Sequence, residues 1–360
     1  MKLLIQPEDG IAPLVHAIKG ARKTVDIVIF RFDRAEIEVA LKAAATRGGQ
    51  VTALITHANE GGEKGLRKLE MRLLEAGVTV SRTADDLVRY HDKLLIIDRR
   101  VLYVMSFNLT HLDVDHSRGF AIVTKKKKLV EEAMKLLAAD NDRTKYEAGM
   151  DDFVVSPVNA RKQLLALIHR AEKELLIYDP KIADAEMVRA LNERAQKGVD
   201  VRIIGSLGKK SHRLKVRLLG GFRLHTRTII RDRREAFVGS QSLRKAELNS
   251  RREVGVIVRD SKVVRGLTDT FEADWSAKKT IQSAEATQTS RRELKKTLKA
   301  NMEKLSPLDP LVKEAIQEVV SKTDGSATLN TKEMKETVEK AVKEAVRERV
   351  QEMLSEAGEQ

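Results

Sequence analysis

The sequence predicts an α/β protein built twice: two duplicated lobes, each a mixed sheet covered by helices and related by a pseudo-twofold axis, then an α-helical extension. Three observations carry this. The chain repeats itself at an offset of 150 residues: "AIKGARKTVDIVIF" (17–30) aligns with "LIHRAEKELLIYDP" (167–180), and "ALKAAATRGGQVTALI" (40–55) with "ALNERAQKGVDVRIIG" (190–205). Within each copy, strand-sized apolar runs alternate with segments of helical spacing, as in strands covered by helices. Past Trp275 the composition turns small and polar, then charged and helical.

The elements follow in order. "TVDIVIF" and "QVTALIT" are short β-rich strands of the first copy, "ELLIYD" and "DVRIIGS" of the second. Between them, "EIEVALKAAATRGG" and "EMVRALNERAQKG" space apolar residues three to four apart and carry a glycine stop signal, so each is a helix. The next connection is sixteen residues longer in the first copy, and the match resumes at an offset of 134. There "HDKLLIID" (91–98) falls on "HTRTIIRD" (225–232), "SFNLT" (106–110) on "SQSLR" (240–244), and "SRGFAIV" (117–123) on "RREVGVIV" (251–258). Insertions confined to connections are what duplication of a folded unit leaves. The expected division is a first lobe at 1–150, a second at 151–278, and a linker with a helical tail at 279–360. In the tail, "TKEMKETVEKAVKEAVRERVQEMLSEAG" (331–358) suits a helical hairpin or short coiled coil, hence self-association. "KTDGSATLNTKE" (322–333) looks like a calcium loop, but Lys322 replaces the first carboxylate and Ala327 the required glycine, so no calcium is expected.

Composition narrows the classes. Hydrophobic residues at 42% and charged residues at 33% fit a folded chain with a highly charged surface. No cysteine means no disulfide and no thiolate site. There is no run long enough to cross a bilayer and no secretory pattern, so a cytoplasmic protein is expected, with peripheral membrane contact as the alternative. Residues 281–360 hold 14 basic and 15 acidic side chains; the chain's 67 and 53 leave 53 and 38 for residues 1–280, a surplus of 15. Such a field attracts polyanions: nucleic acid or an anionic lipid face. Aromatic content is only 4%, so base-stacking platforms are not evident.

Side chains alternate faces along a strand, so His91, Lys93 and Leu95 share one side, as do His225 and Arg227. Asp98-Arg99-Arg100 reads as a turn that returns Ser106 and Asn108 towards the start of the first strand. Taken singly, these are a strand-end histidine, a solvated cation and turn residues. Taken together, and twice, they make a pocket of two imidazoles and two cations suited to a phosphodiester.

The pattern His-x-(Lys/Arg)-x4-Asp followed by Ser-x-(Asn/Ser), present twice, resembles the phospholipase D superfamily over about residues 1–275. The resemblance implies a metal-independent phosphodiesterase, without cofactor, acting through a phosphohistidine. Lys93 and Arg227 would supply positive charge, Ser106, Asn108, Ser240 and Ser242 would bind the substrate phosphate, and Asp98 and Asp232 would be structural. In the family an acid downstream of each motif orients the histidine of the opposite half. That position is Glu253 in the second half and Gly119 in the first, with Asp113 or Asp115 as candidate substitutes. Glu253 would therefore hold His91, making His91 the nucleophile and His225 the general acid. Arg227 for the usual lysine, Ser242 for asparagine, and Met105 for the glycine before Ser106 depart from the pattern. Phospholipid hydrolysis or phosphatidyl transfer is the first expected activity and nucleic-acid cleavage the second. A weakly active or inactive scaffold acting through the tail is the third.

Overall fold

The computed structural model describes residues 1–56, 63–208 and 211–277, all within one compact unit. The expected linker, helical tail and calcium-like loop lie outside the described residues. The first lobe runs β1 (Lys2–Gln6), α1 (Ala12–Lys19), β2 (Thr24–Ile29), α2 (Ala35–Thr46), β3 (Gln50–Ile55), α3 (Glu63–Glu75), β4 (Thr79–Arg82), β5 (Arg89–Tyr90), β6 (Leu94–Ile97), β7 (Val101–Met105), α4 (His111–Asp115), β8 (Ser117–Thr124) and α5 (Lys127–Asp142). The second runs β9 (Phe153–Ser156), α6 (Ala160–His169), β10 (Glu174–Ile182), α7 (Ala185–Gln196), β11 (Asp200–Leu207), β12 (Lys215–Arg217), β13 (Arg223–Leu224), β14 (Arg227–Arg231), β15 (Glu235–Gly239), α8 (Lys245–Asn249), β16 (Arg251–Val258) and α9 (Ser261–Ser276).

Each lobe holds a mixed eight-stranded sheet, and the two orders repeat strand for strand: β1-β8-β7-β6-β2-β3-β4 and β9-β16-β15-β14-β10-β11-β12. The parallel strands β2–β3 and β10–β11 are buried apolar runs such as "IVI" and "LLIY", as strands covered on both faces must be. Leu14, Leu41 and Leu95 belong to an outer core of the first lobe; Leu164, Leu191 and Ile229 mark its counterpart in the second. A third core joins the lobes. It takes Val28, Phe120 and Leu136 from the first lobe and Tyr178, Val256 and Phe271 from the second, with α5 and α9 contributing whole faces. One continuous apolar core across the junction explains why the lobes form one compact unit.

The eighth strand of each sheet comes from the other lobe. Along β8, Gly119 pairs with Gln6 of β1, but the next residue, Arg118, pairs with Leu224 of β13. Along β16, Glu253 pairs with Ser156 of β9, and Arg252 with Tyr90 of β5. The exchange therefore occurs at the position where the halves carry glycine and glutamate, one residue from each motif histidine.

Candidate active site

The exchanged strands set the histidines. The His91 N–H donates to the Arg252 carbonyl at 2.8 Å, and the His225 N–H to the Arg118 carbonyl at 3.2 Å. Each histidine is thus clamped to the last strand of the opposite lobe. His91 then meets Glu253: Nδ1 lies 2.8 Å from Glu253 Oε2, and both residues are buried. Phe30 packs edge-on against the His91 ring, with centroids 4.4 Å apart.

His225 has different company. Position 119 has no room for an acid, because a Cβ there would sit 2.9 Å from the ring of the fully buried Phe107. In the second lobe the place of Phe107 is taken by Gln241, which donates to the Glu253 and Val154 carbonyls and leaves Glu253 space. Of the two substitute acids, Asp113 lies beside His225, with Oδ2 3.2 Å from Nε2 but not aligned as a hydrogen bond. Arg223, two residues earlier, reaches His225 Nδ1 at 3.0 Å and also grips Asp113. Asp115 instead pairs with Arg34 and His111.

Lys93 Nζ donates to the His91 carbonyl at 2.6 Å and lies 5.1 Å from the Phe30 ring centre. Arg227 mirrors it, donating to the His225 carbonyl at 2.5 Å. The two lobes act electrically as one site. Burial, then Lys93, Arg227, Arg251 and Arg89, pushes the His91 imidazole well below the usual histidine range. Burial, then Arg227, Arg223, Lys93 and His91, does the same to His225. Burial raises Glu253 to about 7 against the pull of Lys93, and lowers Lys93 to about 7 against the pull of Glu253.

The four small motif residues are occupied by the protein itself, because a buried hydroxyl or amide must find a partner. Ser106 Oγ accepts the Phe120 N–H at 2.9 Å, and Ser240 Oγ accepts the Val254 N–H at 3.2 Å. Asn108 donates to Asp113 through its backbone N–H and, at 2.6 Å, through Nδ2. Ser242 donates to Asp179. These side chains, expected to bind phosphate, tie β7–β8, α4, β15–β16 and β10 together in this arrangement. Asp98 accepts the N–H groups of Arg22, Lys23 and Thr24, and Asp232 those of Glu172, Lys173 and Glu174. Arg89, Arg223 and Asp179 were not singled out from the sequence. The signal for the first two was present: an arginine stands two residues before each motif histidine.

No helix among the described residues is long and apolar enough to cross a membrane. Among curated proteins none matches the chain. Solved structures do. Polyphosphate kinase from Porphyromonas gingivalis superposes with a TM-score of 0.64 at 19% identity, over 77% of this chain and 50% of that one. The chain thus spans half the length of that enzyme. Phosphatidylserine synthase from Haemophilus influenzae Rd KW20 superposes with a TM-score of 0.58 at 10% identity, over 76% of this chain and 85% of that one. At these identities the likeness is one of fold. The family model described as "Cardiolipin synthase, PLD-like domain" matches twice, over residues 14–140 and 164–275, once in each lobe. With two matched domains joined as one duplicated α/β unit, the chain belongs to the phospholipase D superfamily.

Proposed function

We propose that the chain is a phosphodiesterase in which His91 attacks phosphorus and His225 protonates the leaving oxygen. The observation that carries this is the Glu253 carboxylate on His91 Nδ1. A carboxylate there keeps the proton on Nδ1 and leaves the Nε2 lone pair free for attack. Lys93 and Arg227, one from each lobe, hold the non-bridging oxygens, so the charge needed in the transition state comes without a metal. The P–N bond to His91 forms as the P–O bond to the leaving group breaks, and His225 supplies that oxygen's proton. Water, or an acceptor alcohol, then attacks phosphorus; His225 takes its proton, and the P–N bond breaks.

His225 must carry a proton to act as the acid. Burial, and then the surrounding cations, push its proton affinity well below the usual histidine range. An anionic phosphodiester set between those cations offsets them and raises the imidazole's proton affinity. Catalytic competence of His225 thus arrives with the substrate. Phospholipid hydrolysis or phosphatidyl transfer is the first substrate reading, on the strength of the matched family model. Nucleic acid is the second, favoured by the surplus of 15 positive charges in residues 1–280.

The test is a turnover assay of the full chain in EDTA against phospholipid vesicles and plasmid DNA, followed by acid-free trapping and mass mapping of the phosphorylated residue. The modification belongs on His91, and H91A abolishes both label and turnover. Label on His225 instead would reverse the two roles.

A further inference from the structure

The first lobe places an aromatic ring in the site where the second places a proline. At the offset of 150, Phe30 falls on Pro180. Phe30 directly follows β2 and is buried. β2 pairs antiparallel with β6, Ile27 opposite Leu95, so the chain just past Ile29 comes alongside residues 91–93. The Phe30 and His91 rings meet edge to face, with centroids 4.4 Å apart and planes at 84°. Lys93 Nζ lies over the same ring, 5.1 Å from its centre, and the guanidinium groups of Arg89 and Arg31 lie at 5.6 and 5.7 Å. One side chain thus packs against both working residues of the first motif.

Lys93 needs support that Arg227 does not. Each is bonded to the carbonyl of its own motif histidine. A guanidinium keeps its charge at any pH the protein meets, whereas a buried ammonium gives up its proton readily. Burial brings Lys93 down to about 7; Glu253 of β16, Asp113 of α4 and Asp92 beside it favour its charge, and Arg227 of β14 opposes it. Arg89 and Arg31, at the same ring, add repulsion. The acids are engaged elsewhere: Glu253 bonds His91 and is itself raised to about 7 by burial, and Asp113 bonds Arg223 and Asn108. An aromatic face attracts a cation and has no proton to gain or lose, and it does so most strongly where water is excluded. The ring therefore accompanies the cation that can titrate, and proline accompanies the one that cannot.

We propose that Phe30 is a positioning residue of the site: braced edge to face against His91, its ring keeps Lys93 charged for the substrate phosphate. This rests on the phosphodiesterase reading above. Phe30 makes no bond to the reacting atoms and acts through Lys93.

The experiment reads the Lys93 charge apart from turnover. In the full chain, Phe30 is replaced by mono-, di- and trifluorophenylalanine, which drain the ring face of negative charge and nearly keep its shape, and by leucine in F30L. With lysine Cε labelled for NMR, the Lys93 signal, assigned by its loss in K93R, is followed through pH. Its titration midpoint falls stepwise with each fluorine, and F30L lowers it by about one pH unit, as a desolvated cation–π contact implies. The alkaline limb of kcat/KM for bis(p-nitrophenyl) phosphate moves down in step. A ring that merely fills space leaves the midpoint unmoved across the fluorinated series, and that result would overturn the inference. The nearly isosteric fluorinated rings keep the test decisive should F30L fail to fold. Turnover with an unmoved midpoint sinks the inference alone, and a midpoint that follows the ring without any turnover sinks the phosphodiesterase reading alone.

Discussion

Glu253 and Gly119 occupy equivalent places in the two lobes and make the two histidines chemically unequal. His91 gains a carboxylate, while His225 has Arg223 on Nδ1 and Asp113 near Nε2. Phe107 enforces the difference, since it fills the volume an acid at 119 would need. The asymmetry has a pH signature. Glu253 titrates near 7; below that it is protonated, donates to His91 Nδ1, and leaves the proton on Nε2, where attack is blocked. Activity therefore rises with pH through about 7. Lys93, brought down to about 7 by burial, loses its charge as pH rises further. The expected kcat/KM profile is a narrow bell centred near neutrality, and the alkaline limb of kcat moves up because bound phosphate favours charged Lys93. E253Q removes the acid limb and lowers kcat by about 10²- to 10⁴-fold, with KM less affected. An unchanged acid limb in E253Q would assign it elsewhere.

Two kinds of element build the site, and only one could be read in advance. The strand–turn–strand carrying each motif was legible, because "LLII" and "VLYVM" alternate with turn residues. The turns are tighter than the sequence indicates: Asp98 and Arg99, and likewise Asp232 and Arg233, all have φ of 52–53°. Such two-residue turns favour Asn-Gly, and here the motif aspartate offsets the cost by accepting three backbone N–H groups, two from the loop before β2 or β10 and one from that strand's first residue. Against the upward push of burial, those N–H groups hold Asp98 below the usual carboxylate range. Its stabilisation is thus present above the unfolded value near 3.9 and is lost as pH falls through the depressed one. D98A is expected to cost about 2 kcal/mol at pH 7, and D98N about half that, since asparagine tolerates positive φ but brings no charge. Urea unfolding measures both; equal losses would mean that backbone conformation, not the carboxylate, dominates. The exchange of β5 and β13 was illegible. Two-residue strands have no periodicity, and pairing with the opposite lobe depends on contacts far apart in sequence.

At the scale of the whole molecule, two arginines lock the lobes across the pseudo-twofold. Arg118 of β8 donates to Asp274 of α9 at 2.8 and 3.0 Å and to the Gln6 carbonyl. Arg252 of β16 donates to Asp140 of α5 at 2.9 and 3.1 Å and to the Ser156 carbonyl. These arginines flank positions 119 and 253, and their own carbonyls hold His225 and His91, so lobe closure and histidine placement share the same residues. The repeat at offset 134 already aligned Arg118 with Arg252, but only the fold reveals that each reaches the other lobe. The second clasp is electrically strained. Burial, reinforced by Asp92 and opposed by Arg252, raises Asp140 to about 7; burial, opposed by Arg252, raises Asp92 to about 6. In the unfolded chain both would titrate near 3.9. Between that value and about 7 the folded protein holds more protons than the unfolded chain, so stability falls as pH rises across this window and the loss is complete above it. D140N keeps an oxygen for Arg252 but cannot ionise. It is therefore expected to gain on the order of 2 kcal/mol relative to wild type between pH 5 and pH 8. Urea unfolding of the full chain at the two pH values reads this directly. A wild-type-to-D140N difference that stays constant would show that Asp140 keeps its charge in the folded clasp.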